Sequence, residues 1–231
     1  GQGRPEALGA FAADLRRAAG SGGCWLLGLA AGVSSGVFGV FSSSFPVILH
    51  RDEGVAMSKW LGFSSVMAFV MGSLAIGYFS DHFFERRLKH LLLVCVGVGL
   101  LGVLVFTLAL PSPVSAAGLW DLEQVHFASI AVVSGAVGGA FPVAVELAAE
   151  LAYPAEESIV VGAILSINTL SGMVYLLAMD RIPNAGVNLP MLAATAAACV
   201  LVCFVGEEYR RRDADEGARS KWDACGGASS E

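Results

Sequence analysis

The 231-residue chain is 55% apolar and only 15% charged, where a soluble domain carries about 25% charged residues; its mean hydropathy is +0.68. A net charge of −6 without a basic stripe or a base-stacking pattern leaves nucleic-acid binding without support. The five cysteines (Cys24, Cys95, Cys199, Cys203, Cys225) form no CxxC, and none pairs at ligand spacing with His50, His82, His90 or His126. No disulfide framework, metal site or other cofactor is therefore expected.

In chain order, residues 1–22 come first. Leu8, Phe11 and Leu15 recur at helical spacing, with Asp14, Arg16 and Arg17 on other faces. This pattern predicts a short amphipathic helix lying on the cytosolic membrane surface, as part of a linker. The chain begins with Gly rather than Met and is read as part of a longer protein; the apolar window at 24–49 is too long for the h-region of a signal peptide.

Six windows then contain no Asp, Glu, Lys or Arg: 18–50, 60–80, 90–120, 124–145, 158–179 and 182–206. A helix needs about 20 apolar residues to cross a hydrocarbon core of about 30 Å, and a soluble helix of that length would need the polar face these windows lack. The prediction is an all-α membrane protein with a six-helix transmembrane bundle over 23–206. The remainder, 207–231, is polar and rich in Gly and Ser, and is expected to be a disordered cytosolic tail.

The loops carry an orientation. With six spans, eleven of the fourteen Lys and Arg residues fall on one side: Arg4, Arg16, Arg17, Arg86, Arg87, Lys89, Arg210, Arg211, Arg212, Arg219 and Lys221. Arg51, Lys59 and Arg181 fall on the other. The positive-inside rule then places both termini in the cytosol.

Within the spans, Gly28, Gly32 and Gly36 recur at every fourth position, followed by Gly39; Gly135, Gly138, Gly139, Gly162 and Gly172 are expected to serve close helix packing in the same way. Pro46 and Pro142 interrupt apolar stretches, which membrane helices tolerate where neighbours or water satisfy the freed carbonyl. Polar side chains cluster: Ser34, Ser35, Ser42, Ser43 and Ser44 in the first span, Asn168, Thr169, Ser171 and Tyr175 in the fifth. Asn168, Ser171 and Tyr175 share one helix face. An amide facing lipid would cost several kcal/mol, so Asn168 either hydrogen-bonds a neighbouring helix or lines a water-filled solute cavity. Glu146 and Glu150, one turn apart at the cytosolic end of the fourth span, need partners at that depth. Arg86 and Arg87 are the nearest cytosolic cations in sequence, which makes an ion-pair latch the leading reading over a proton relay.

GYFSDHFFERR, Gly77 to Arg87, resembles the loop motif of the major facilitator superfamily, without the glycine usual between Asp and the basic residues. VAVELAAELAYPAEESIVVG, Val143 to Gly162, is similar to the tenth helix and following loop of the feline leukaemia virus subgroup C receptor-related transporters, solute carrier family 49. Two glutamates, a Tyr-Pro pair, an acidic loop and a glycine match there through Glu146, Glu150, Tyr153, Pro154 and Gly162. GVSSGVFGVFSS, Gly32 to Ser43, resembles the family's seventh helix, and the likeness runs from about Ala7 to Arg212.

The resemblance implies helices seven to twelve of a twelve-helix fold, with an N-terminal six-helix bundle as the missing partner. It also implies a cytosolic gate in which Asp81, Arg86 and Arg87 are held with acidic residues such as Glu150. Family members carry choline, ethanolamine, pyridoxine or haem. Here Gly39 stands where the choline-carrying members place Tyr, and Thr169 where they place Gln; quaternary ammonium binding relies on aromatic faces, and Phe38, Phe41 and Tyr175 are the aromatic residues nearby.

The expected function is transport of a small polar organic solute by alternating access, with Ser42, Phe38, Asn168, Thr169 and Tyr175 as cavity candidates and Asp81, Arg86, Arg87, Glu146 and Glu150 as gate candidates. The rival is a non-transporting receptor or assembly subunit that keeps the fold. No enzymatic constellation of nucleophile and base is expected in any span.

Overall fold

The computed structural model describes residues 16, 20–45, 54–83, 87–109, 123–182 and 186–206. Within them lie six α-helices: α1 Gly22–Ser43, α2 Gly54–Phe83, α3 Leu88–Ala109, α4 Glu123–Ala152, α5 Glu157–Met179 and α6 Leu189–Phe204. Five of these are long and apolar enough to cross a membrane, and the chain is a multi-pass membrane protein. The amphipathic segment around Leu8 to Leu15, Pro46 and the tail from 207 onward lie outside the described residues.

The sixth helix departs from the expected span over 182–206. It has 16 residues, about 24 Å at 1.5 Å per residue, short of a full hydrocarbon core. The cause is local: Pro190 occupies its first turn, where a ring without an N–H starts a helix but blocks its extension toward earlier residues. An uncharged window counts apolar residues and does not see where a proline sets the first turn.

Two side chains tie helix ends together and fix the direction of the chain. Ser21 caps α1: its Oγ accepts from the Cys24 N–H at 3.4 Å and donates to the Leu151 carbonyl at 3.1 Å. The start of α1 therefore meets the end of α4. Lys89 Nζ donates to the carbonyls of Val205 at 2.6 Å and Cys203 at 3.3 Å, so the start of α3 meets the end of α6. A cation on the last carbonyls of a helix satisfies orphan acceptors and opposes the negative end of the dipole. Both contacts lie at one end of the bundle, the Lys89 end.

α1 packs on α4, α5 and α6, while α4 packs on α1, α2 and α3, and α3 meets α6. One apolar cluster fills the Lys89 end with Leu27, Leu88, Leu92, Leu147, Leu151, Val160 and Val202. A second, aromatic cluster fills the opposite end, where Phe41 stands edge-on to Phe45 and Phe106 with ring centroids 5.4 and 5.6 Å apart. His126, near the start of α4, is buried beneath Phe106 with its ring edge-on at 5.9 Å.

The outer surface has the composition of a lipid-facing one. Its middle is aliphatic, with Val66, Val70, Met71 and Leu74 exposed on α2, Val94, Val98 and Leu101 on α3, and Leu170, Val174 and Leu177 on α5. Exposed aromatic rings sit toward the two ends: Trp25, Tyr78, Phe79, Phe83 and Phe204 at the Lys89 end, Trp60 and Phe63 at the other. Amphipathic Trp and Tyr rings settle at headgroup level, and Trp25, Tyr78 and Trp60 follow that order, with aliphatic side chains between.

Candidate functional site

Two parallel helix pairs hold the polar side chains, and glycine decides how close each pair comes. Against α5, α1 presents Gly32 and Gly36; a methyl group on Gly36 would overlap the Asn168 carbonyl oxygen and the Ser171 hydroxyl. Against α2, α4 presents Gly135, Gly138 and Gly139, and a methyl on Gly72 of α2 would overlap the Gly135 backbone. Small residues at such crossings let backbones touch where lipid offers no hydrophobic drive. Gly39 and Gly162 do not share this role, because no atom of a neighbouring helix lies within 4 Å of where their Cβ would stand.

Each pair also carries a polar clasp. Asn168 Nδ2 donates to Ser35 Oγ at 2.6 Å, and Ser171 Oγ approaches the carbonyls of Asn168 at 2.9 Å and Gly32 at 3.2 Å. Across α2 and α4, the hydroxyls of Ser65 and Ser134 bond at 2.9 Å, and Ser134 also reaches the Ile130 carbonyl at 2.6 Å. Tyr175 donates its hydroxyl to the Val187 carbonyl at 2.7 Å, just before α6. Asn168, Ser171 and Tyr175 thus do share one face, and it is turned into the bundle.

The cavity candidates divide into two groups. Phe38, Asn168 and Tyr175 belong to helix contacts; Phe38 stacks on Phe69 of α2 with centroids 6.2 Å apart and planes 10° apart. Thr169 is exposed and Ser42 half-buried, each hydroxyl donating to a carbonyl of its own helix, Leu165 at 2.9 Å and Gly39 at 3.0 Å. Thr169 lines an open groove on α5 together with Leu165, Ser166, Leu170 and Met173. A hydroxyl bonded in this way keeps acceptor capacity for a solute donor.

Of the gate candidates, Glu146, Glu150 and Arg87 lie at the Lys89 end. Glu150 is 4% exposed and Glu146 half-buried, both on α4, and each already engages another group. Arg87 is exposed just ahead of α3, its carbonyl accepting from the Leu91 N–H at 3.2 Å. The side chains of Asp81 and Arg86 lie outside the described residues. Pro142 stands one turn before Glu146 inside α4, so the Gly138 carbonyl receives no N–H from position 142.

Sequence reasoning passed over Ser21, Ser65, Gly72 and Ser134, and read Lys89 only as a loop charge. A residue four after Ser65 or Ser134 offers no polar partner, so no spacing pattern marks them; their pairing arises only when two helices cross. Among the described residues no group of three His, Cys, Asp or Glu side chains gathers as a metal site. No protein-family model and no curated protein sequence matches the chain.

Proposed function

We propose that the chain is one six-helix bundle of a major-facilitator-type transporter for a small polar organic solute, similar to solute carrier family 49 and completed by a second, N-terminal bundle. The observation that carries this reading is an internal symmetry of packing. Exchanging α1, α2 and α3 with α4, α5 and α6 turns the α1–α5 contact into α4–α2 and the α1–α6 contact into α4–α3. The α1–α4 and α3–α6 contacts map onto themselves. Equivalent helices lie three apart in the chain, so they run in opposite directions. Inverted three-helix repeats of this kind are the building plan of many transporters, whose solute sites lie at repeat interfaces near the bilayer midplane. The glycine crossing and hydroxyl clasp on each side of the exchange, Gly36 with Asn168–Ser35 and Gly72 with Ser65–Ser134, follow the same plan.

In this reading the Lys89 end is cytosolic, in keeping with the Lys and Arg bias of the loops. Asp81, Arg86 and Arg87 hold the cytosolic gate with Glu146 and Glu150, and rocking of the two bundles exposes the solute alternately to each side. Thr169 and Ser42 supply hydroxyls to the cavity, while Asn168, Tyr175 and Phe38 fix the helices that carry them. The solute belongs to the class of choline, ethanolamine, pyridoxine or haem.

Uptake into vesicles containing the full-length protein is the test. Saturable uptake of one such solute is expected. If none of them is taken up above protein-free vesicles, the non-transporting receptor or assembly subunit becomes the better account.

A further inference from the structure

Ser80 is the anomaly of the gate region. It is 3% exposed, and its Oγ makes no hydrogen bond. Several other buried hydroxyls are visibly used: Ser44 meets the Val40 carbonyl, Ser129 that of Val125, Thr195 that of Met191, and Ser65 pairs with Ser134. A buried polar group without a partner carries its full desolvation cost, and in a native fold it calls for an explanation.

The register of α2 against α4 shows what Ser80 faces. The two helices run parallel, with Ser65 at Ser134, Phe69 at Gly138 and Ile76 covering Gly139. Ser80 is one turn beyond Ile76 on the same face of α2. On α4, the face that continues from Gly139 carries Val143 one turn on and Glu146 two turns on. Val143 is buried and offers no acceptor. Glu146 is three residues past Val143, about 4.5 Å along the axis, and a helical side chain leans back toward the N-terminus. Its carboxylate therefore leans toward the level of Ser80, although in the present arrangement it engages another group.

We infer that Ser80 is a switching contact of the gate: in the alternate conformation its hydroxyl donates to the Glu146 carboxylate, a bond unmade in the conformation described here. The inference rests on the two-state transporter reading above. A small slide of α2 along α4 makes the bond, and the glycine crossing at Gly72 and Gly135 lets two backbones shift without side chains interlocking. The unpaired hydroxyl raises the free energy of the present state and the bond lowers that of the other, so both terms push the equilibrium the same way.

The test uses the full-length protein in detergent with the variants Ser80→Ala, Glu146→Gln and the double variant. Removing an unpaired hydroxyl leaves the melting temperature of Ser80→Ala unchanged or raised; a fall means that the hydroxyl is bonded in the resting state and overturns the inference. Hydrogen–deuterium exchange over 76–83 and 143–152 reads the switching motion. Ser80→Ala is expected to depopulate the alternate state about tenfold, the worth of one bond to a carboxylate, and to slow exchange there accordingly. Adding Ser80→Ala to Glu146→Gln should have a much smaller effect. Equal effects of Ser80→Ala in both backgrounds, or none in either, overturn it. Solute uptake is measured in parallel: wild-type protein without uptake sinks the transporter reading alone, while the exchange data still decide the role of Ser80.

Discussion

Asn168 of α5 donates its amide to Ser35 of α1 at 2.6 Å, beside the place where Gly36 meets the Asn168 carbonyl backbone to backbone. The bond and the close approach depend on each other. Without the glycine the helices stand too far apart for the amide to reach, and without the hydroxyl the amide is stranded at membrane depth. Asn168→Ala is therefore expected to lower thermal stability by about 1 kcal/mol, the usual size of an interhelical hydrogen bond in a membrane bundle. Ser35→Ala should cost at least as much, because it leaves the amide without its acceptor. Melting in detergent checks both. If instead Asn168→Ala melts normally but weakens solute affinity, the amide serves the solute and not the helix pair.

The glycines separate by the same logic. Gly36→Ala places a methyl on the Asn168 carbonyl and must push α5 away, at an overpacking cost of about 1–3 kcal/mol. Gly162→Ala, facing open space in the middle of the first turns of α5, should be neutral or stabilising by up to about 1 kcal/mol through the unfolded chain. The sequence alone treats the two alike. Melting temperatures of the two variants that move by the same amount would count against the α1–α5 crossing.

How much of this was legible beforehand follows from what each signal measures. Uncharged length is a property of a segment, so spans one to five could be read directly, and periodicity put Asn168, Ser171 and Tyr175 on one face. Which face looks inward is a property of pairs of helices, so the sequence left Asn168 open between a helix contact and a cavity. The same limit hid Ser65–Ser134, for which each serine alone is an ordinary small residue. Gly162 was misjudged because a glycine reads as a packing residue whether or not a helix covers it. Lys89 was counted as one more cytosolic charge; its work as a cap depends on where Val205 ends α6, which no local pattern states. The sixth helix is shorter than its uncharged window, and Pro190 in its first turn is the visible cause.

Lys89 yields a prediction specific to its role. Lys89→Met keeps the aliphatic stem but withdraws the donor from the carbonyls of Val205 and Cys203. The loss is expected to be about 0.3–1 kcal/mol, as for other cations at helix C-termini. Fraying should be confined to the last turn of α6, seen as faster amide exchange over 201–206 with the rest of the bundle unchanged. Lys89→Arg, which can still donate, should restore most of the protection. Uniformly faster exchange would mean that the lysine supports the whole α3–α6 contact and not the helix end.

Sidedness follows from pairing helix ends with loop charge. Glu157 is exposed at the start of α5, at the Lys89 end, and Lys59 is exposed near the start of α2, at the opposite end. The charge bias puts the first in the cytosol and the second outside. In a Cys203→Ser, Cys225→Ser background, which removes the thiol exposed among the described residues and the one in the C-terminal segment, Lys59→Cys should react with a membrane-impermeant maleimide in intact cells. Glu157→Cys should react only after permeabilisation. The opposite pattern would invert the bundle and move Glu146 and Glu150 to the outer face. Reaction of both residues from one side is excluded by an odd number of crossings between them, α2, α3 and α4, so that outcome would mean that one of these three helices does not span the bilayer.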